Sequence, residues 1–295
     1  MGAHLMPSGE VAPISTSRGA GLGGTPHLFA YPNKDSEAEV IQFGSADTGA
    51  QGLCAHVAEL ADKAIKEKGS FTLVLSGGSL FKALTPLVGQ QGVDFSKWHV
   101  LFVDERNVPH SSADSNYKGA YDTFLGKVPI PKEQIYAIAE GLPVEAAATE
   151  YAGQMLRMDP IVLPRNASGL PVLDLILLGI GPDGHVASLF PNHKELAVKD
   201  SWVLSVNNSP KPPPERITMS LPVINAAKAI DVVAFGAGKA EVVQRILEVQ
   251  SLPGALPAQL VRPEEGKLRW LLDAESSSRL SIMQWQDSKA FPRSS

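Results

Sequence analysis

One cysteine, Cys54, in 295 residues leaves no internal disulfide and no cysteine-built metal cluster. It falls in an apolar-periodic stretch from about Leu53 to Lys66 and reads as a core residue of a helix. Long hydrophobic runs are also missing. None nears the roughly 20 residues that cross a bilayer, so we expect no membrane span. Basic residues do not dominate: 26 Lys and Arg stand against 31 Asp and Glu, and a net charge of −5 argues against a nucleic-acid partner. Internal repeats are absent. The first 25 residues lack the apolar centre of a secretory signal, are poor in arginine and show no amphipathic pattern. We therefore expect a disordered extension over 1–25 and a polar tail over 286–295 in a cytoplasmic protein, with organelle import through the extension as the alternative. A monomer or weak homo-oligomer is expected.

What is present is an ordinary globular balance, 44% hydrophobic and 19% charged residues, in a chain long enough for one large core over 26–285. Strand-like runs at Phe71–Leu75, His99–Val103, Leu173–Leu178, Trp202–Val206 and Asp231–Phe235 alternate with helical patterns near 50–67, 116–125, 144–158 and 239–249. That rhythm predicts an α/β fold with a doubly wound, mostly parallel sheet and helices on both faces.

Polar motifs follow four of the five runs, and in such sheets ligands bind beyond the carboxyl ends of the strands. Gly179-Ile180-Gly181-Pro182-Asp183-Gly184-His185 places a carboxylate and an imidazole in one glycine-rich turn. An imidazole titrates near neutral pH, and a neighbouring carboxylate can fix its tautomer, so His185 with Asp183 is the candidate acid–base pair. Ser76-Gly77-Gly78-Ser79 offers backbone amides to an anion such as phosphate at the start of the next helix. The spacings of a Walker A loop and of a dinucleotide fingerprint are absent. Asp104-Glu105-Arg106 supplies Arg106 for an anion, and Asn116 reads as a helix cap within reach of the site. Lys239 of Gly236-Ala237-Gly238-Lys239 stands at a helix start, where a cation opposes the macrodipole unless an anion is near. Arg216, after the proline-rich connector 210–214, is a further anion contact by the same logic.

Taken in order, SGGS, DER with SNY, GIGPDGHVASLFP, PERITM and GAGK resemble the 6-phosphogluconolactonase family over about residues 38–285. The resemblance implies a Rossmann-like sheet and an enzyme of the oxidative pentose phosphate pathway without cofactor or metal. It implies hydrolysis of a 6-phosphorylated sugar lactone, with His185 as general base and Asp183 beside it. Ser76, Gly77, Gly78, Ser79, Arg106, Asn116, Arg216 and Lys239 then touch substrate or anion. One departure is Leu80-Phe81 where many relatives have Thr-Pro after this turn.

The same fold is shared with glucosamine-6-phosphate deaminases, so fold alone does not choose between the two reactions. The deaminase pattern resembled here would use Asp104 as a proton shuttle and a Glu five residues past the histidine for ring opening. This chain has Phe190 there, and Arg106 where that pattern has Tyr. A sugar-phosphate sensor would keep the phosphate contacts but have no need of Asp183 and His185. The lactonase reading is preferred over both.

Overall fold

The computed structural model describes residues 25–30, 37–249 and 256–281; the expected extension, apart from Thr25, and the expected tail lie outside the described residues. In chain order the elements are β1 (Thr25–Ala30), β2 (Glu37–Phe43), α1 (Ala46–Lys68), β3 (Phe71–Leu75), α2 (Leu80–Ala83), β4 (Trp98–Phe102), β5 (Asp104–Arg106) and α3 (Asn116–Thr123). There follow α4 (Val144–Arg157), β6 (Leu175–Leu178), β7 (Val203–Val206), β8 (Arg216–Met219), α5 (Leu221–Asn225), β9 (Ala229–Ala234), α6 (Ala240–Glu248) and β10 (Lys267–Asp273).

Seven strands form one sheet in the order β1-β2-β10-β9-β6-β3-β4, parallel throughout except for β1 against β2. Alternate residues of each central strand feed opposite faces, as the pleat requires. Leu73 and Leu75 of β3, with Leu175 and Leu177 of β6, pack under α1, α2 and α3. Val74, Ile176 and Leu178 face α4, α5 and α6. Both faces are thus covered, which is why these strands read as unbroken apolar runs. The expected doubly wound architecture is what the chain adopts. Cys54 is buried in the layer under α1, where its thiol donates to the Ala83 carbonyl and desolvation pushes its pKa up to about 12.

Two expectations change. Trp202–Val206 is a strand, as β7, but not of the parallel sheet: β7 pairs antiparallel with β8, and β8 with β5, in a separate three-stranded sheet. Helix α1 begins at Ala46 rather than near 50 because Ser45 and Thr48 cap it reciprocally, a capping box with Thr in place of the usual Glu or Gln.

The topology positions the site. From β3 the chain goes outward to β4 and later returns to lay β6 on the other side of β3. The loops after β3 and β6 therefore diverge, and a crevice opens at their carboxyl ends.

Candidate active site

The crevice is stapled at its base by Ser76, whose hydroxyl accepts a 2.7 Å hydrogen bond from the Gly179 amide across the β3–β6 divide. Next to it, Gly77 has no room for a side chain: a Cβ there would lie 2.1 Å from Oδ1 of Asn116. The amides of Gly77, Gly78 and Ser79 have no backbone partner among the described residues, and Ser79 makes no side-chain cap bond. Those groups are free to meet an anion. Helix α2 behind them spans only Leu80–Ala83, a single turn, so the helix dipole expected there adds little and the donors themselves must do the work.

Asn116 plays neither expected part. Ser115 is the cap of α3, accepting from the Lys118 amide, while Asn116 is the first helical residue, buried, with its Nδ2 donating to the Asp104 carbonyl at 3.0 Å. It backs the Ser76–Ser79 turn from behind and does not line the cleft.

Asp104-Glu105-Arg106, read as a polar motif after a strand, is itself strand β5, and its three residues divide the labour. Asp104 lines the cleft and accepts a 2.7 Å bond from the Ser188 hydroxyl. Glu105 is buried and pins the start of α3 by accepting from the amides of Asn116 and Tyr117 and the hydroxyl of Ser115. Burial raises its pKa although those amide bonds oppose the rise. Arg106 lines the cleft, donates Nη1 to the Asp114 carbonyl at 2.7 Å, and keeps its buried Nε without a partner. A buried donor left unpaired is costly, and an anionic ligand would satisfy it.

Opposite Arg106 in the β5–β8 register stands Arg216. It lines the cleft, yet most of its donors are engaged: Nε binds the Pro213 carbonyl at 3.0 Å, and Nη2 the carbonyls of Lys211 and Pro212 at 2.9 and 3.1 Å. Nη1 reaches Ser188 Oγ at 3.4 Å. The segment 210–214 is thus more than a connector, because Arg216 grips three of its carbonyls.

After β6, the Gly181 amide donates to the His185 carbonyl at 2.9 Å and the Gly184 amide to the Gly181 carbonyl at 3.0 Å, closing a tight turn with Gly184 at φ 81°. The turn folds the His185 ring over Gly181 and brings Nδ1 to 2.5 Å from Oδ1 of Asp183. Phe190 covers the ring, centroid to centroid 4.7 Å, and is itself buried. Desolvation therefore lowers the His185 pKa, outweighing the upward pull of Asp183; Lys211 pushes it down further, and Asp104 pulls it up. Burial opposes ionisation of Asp183 as well, but the hydrogen bond from His185, the imidazole's charge and Lys211 win, and its carboxyl stays below the ordinary value. An ionised Asp183 accepts a hydrogen bond from Nδ1–H and leaves Nε2 of a neutral His185 as the basic nitrogen. Ala187, two residues on, lines the cleft with φ 49°, a left-handed conformation that costs a non-glycine residue about 1 kcal/mol.

Lys239 occupies the turn 237–239 that leads into α6. The anion expected near this helix start is supplied by the protein: the amides of Gly236 and Ala237 are met by the carboxylates of Asp273 and Glu275. Lys239 turns instead toward the cleft, where Nζ donates to the Ile180 carbonyl at 2.7 Å; burial and then Lys211 lower its pKa.

A cleft of about 180 Å³ brings together Ser76, Gly77, Gly78, Ser79, Asp104, Arg106, His185, Arg216 and Lys239. Asp183 stands behind His185 rather than on its wall. Among the described residues no three His, Cys, Asp or Glu side chains are placed to hold a metal ion, and no helix is long and apolar enough to cross a membrane. Lys211, 3.5 Å from Asp183, is the member of the cluster that sequence reasoning missed; a lysine between prolines just before a motif was its only signal.

A family described as glucosamine-6-phosphate isomerases/6-phosphogluconolactonase matches residues 44–270. The chain is 46% identical over 248 residues to a probable 6-phosphogluconolactonase 3, chloroplastic, of Oryza sativa subsp. indica, covering 82% of this chain and 76% of that one. It is 46% identical to the 6-phosphogluconolactonase 3, chloroplastic, of Arabidopsis thaliana, over 77% of this chain and 71% of that one. Among solved structures, the 6-phosphogluconolactonase of Thermotoga maritima superposes with a TM-score of 0.67 at 26% identity, over 79% of this chain and 98% of that one. The Trypanosoma brucei 6-phosphogluconolactonase gives 0.70 at 25% identity, over 85% of this chain and 100% of the other.

Proposed function

The chain belongs to the glucosamine-6-phosphate isomerase/6-phosphogluconolactonase family and, within it, to the lactonases, which are carboxylic ester hydrolases; from that premise we propose that it hydrolyses 6-phospho-D-glucono-1,5-lactone to 6-phospho-D-gluconate with His185 as general base. The observation that carries this reading is the 2.5 Å His185–Asp183 contact at a cleft whose other walls hold free amides and cations.

The lactone carbonyl is already electrophilic, so the protein has to position a water, take its proton and meet the oxyanion. Nε2 of His185 removes a proton from the water as its oxygen bonds to the carbonyl carbon. The tetrahedral oxyanion is met by Arg106, whose buried Nε lacks a partner, because the Gly181 and Gly184 amides are spent inside their own turn. When the intermediate collapses, the bond to the ring oxygen breaks and that oxygen takes its proton from the imidazolium. The 6-phosphate rests on the amides of Gly77, Gly78 and Ser79 and on Lys239, so remote binding energy holds the carbonyl in place. Arg216 serves by holding its loop. Phe190 packs on the imidazole where the isomerase pattern would have a Glu for ring opening, which favours lactone hydrolysis over the proton transfers of an amino-sugar isomerase.

The test is a coupled assay with freshly generated lactone. Wild type should turn it over and release no ammonia from glucosamine 6-phosphate, and His185→Ala should lose roughly 10²–10⁴-fold in rate with its fold intact. An alanine variant within about threefold of wild type overturns the assignment of the base. For the compartment, the cytoplasm is our proposal against the chloroplast named for the rice and Arabidopsis relatives; imaging a carboxyl-terminal fluorescent fusion decides.

A further inference from the structure

The segment 210–214 presents one charged side chain on an unusually constrained backbone. The Lys211 carbonyl accepts from Arg216 Nη2 at 2.9 Å and from Ser209 Oγ at 2.8 Å, and the Lys211 amide donates back to Ser209 Oγ at 3.2 Å. Ser209 and Pro214 close the loop, amide to carbonyl, at 3.0 Å. Arg216 holds the next two carbonyls as well. From this brace the Lys211 ammonium reaches 3.5 Å from Oδ1 of Asp183, the oxygen that also binds Nδ1 of His185.

We propose that Lys211 is a positioning residue for the catalytic pair: it shares Oδ1 of Asp183 with His185, keeping the carboxylate ionised and the imidazole a neutral base. The proposal rests on the reading of His185 as general base. Three charged groups face the imidazole: Asp183 from its own turn, Asp104 from β5 and Lys211 from the proline loop. Arg216 spends its donors on the carbonyls of the proline loop and on Ser188, and Lys239 is tied to Ile180. Lys211 is therefore the cation acting on the pair. Besides favouring the neutral base, it makes the imidazolium formed during attack a stronger acid, and so hastens return of the proton to the departing ring oxygen.

A cation beside a base lowers the base's pKa, so removing it raises the pKa and moves the acid limb of activity upward. Lys211 is partly exposed, which limits the shift to about half to one unit. The experiment compares wild type, Lys211→Met and Lys211→Arg by ¹⁵N NMR titration of His185 in the free enzyme, with His185→Gln identifying the signal. The pH dependence of kcat/KM for the lactone is measured beside it. We expect the methionine variant to titrate higher and its acid limb to follow, the arginine variant to return toward wild type, and KM on the plateau to hold. Lys211→Gln repeats the test if methionine disturbs the loop. An unchanged His185 titration in both uncharged variants overturns the proposal, as does a raised KM with an unmoved profile, which would make Lys211 a ligand contact. Failure of the general-base reading would show separately, as an active His185→Ala enzyme.

Discussion

Gly181→Ala should inactivate the enzyme through a single methyl group. Gly181 does not have a positive φ, so alanine is compatible with its backbone and the perturbation lies in the added carbon alone. That carbon would sit 2.0 Å from Nδ1 and 2.1 Å from Cε1 of His185, and 2.6 Å from Oδ1 of Asp183. Ordinary contact needs well over an ångström more. The imidazole has little room to retreat, because the Phe190 ring also lies against it. It must rotate away from Asp183, losing a hydrogen bond to a charged group worth about 1.5–3 kcal/mol and the position of its base. A misplacement of about 1 Å already costs on the order of 10²-fold, and complete loss of a positioned base about 10²–10⁴-fold. The assay is kcat for the lactone in Gly181→Ala, His185→Ala and the double variant, with urea unfolding alongside. Because the methyl acts by displacing His185, the double variant should be no slower than His185→Ala. Multiplicative losses, or a Gly181→Ala enzyme within about threefold of wild type, would refute the reasoning.

Lys239→Ala should mainly raise KM for the phosphorylated lactone and shrink its preference over the unphosphorylated one; full retention of that discrimination, measured as a ratio of kcat/KM values, removes Lys239 from the phosphate. Gly77→Ala puts a Cβ 2.1 Å from Asn116 Oδ1 and should distort the amide cradle, raising KM by about tenfold; Asn116→Ala should restore part of it by emptying that space. Another prediction concerns the middle of the sheet, where α1 covers β9 and β10: burial first, with Arg269 and Lys267, lowers the His56 pKa from 6.5 to about 3, and burial raises that of Asp231 from 3.8 to about 6. The unfolded chain then binds more protons at His56 between about pH 3 and 6.5, so that residue makes stability rise with pH there, while Asp231 makes it fall between 3.8 and about 6. Subtracting His56→Gln from wild type in urea titrations across that range should give a difference that grows with pH, and a flat difference would contradict it.

The parallel strands were readable because both of their faces are buried, which turns Phe71–Leu75 and Leu173–Leu178 into apolar runs. β10 is buried on both faces as well, yet it escaped notice because a charge breaks its apolar run. Arg269 stands directly across from Asp231 on β9 and Glu39 on β2, a charged row that the buried sheet tolerates because its members pair with one another. In the small antiparallel sheet Trp202–Val206 reads as a strand, but DER reads as a polar motif beyond one and Arg216 as an anion contact after a connector, because pairing between segments more than 100 residues apart leaves no local period. Asn116 was displaced by one position, since Ser115 does the capping and frees the amide side chain to fill the space behind Gly77. In each case a local pattern competed with a distant partner that the chain order does not reveal.

What the structure adds is the division of cations. On sequence grounds Arg106, Arg216 and Lys239 are all candidates to meet an anion, Arg216 the weakest of them because exposed arginines are common. Their partners separate them. Arg216 is spent on backbone carbonyls and stiffens a loop; Arg106 retains a buried unpaired donor in the cleft; Lys239 holds a carbonyl that a stronger acceptor could displace. The lysine that no motif advertised, Lys211, stands nearest to the carboxylate behind His185. A lactone hydrolase needs a base that is neutral when the water arrives and gives its proton back when the ring opens. An apolar ring on one side of His185 and a cation behind Asp183 both push toward that state. A carboxylate at position 190 would push the other way, raising the imidazole pKa where burial now lowers it. Under the proposed reading, Phe190 therefore does more than omit the group that ring opening of an amino sugar requires; it also tunes the base that remains.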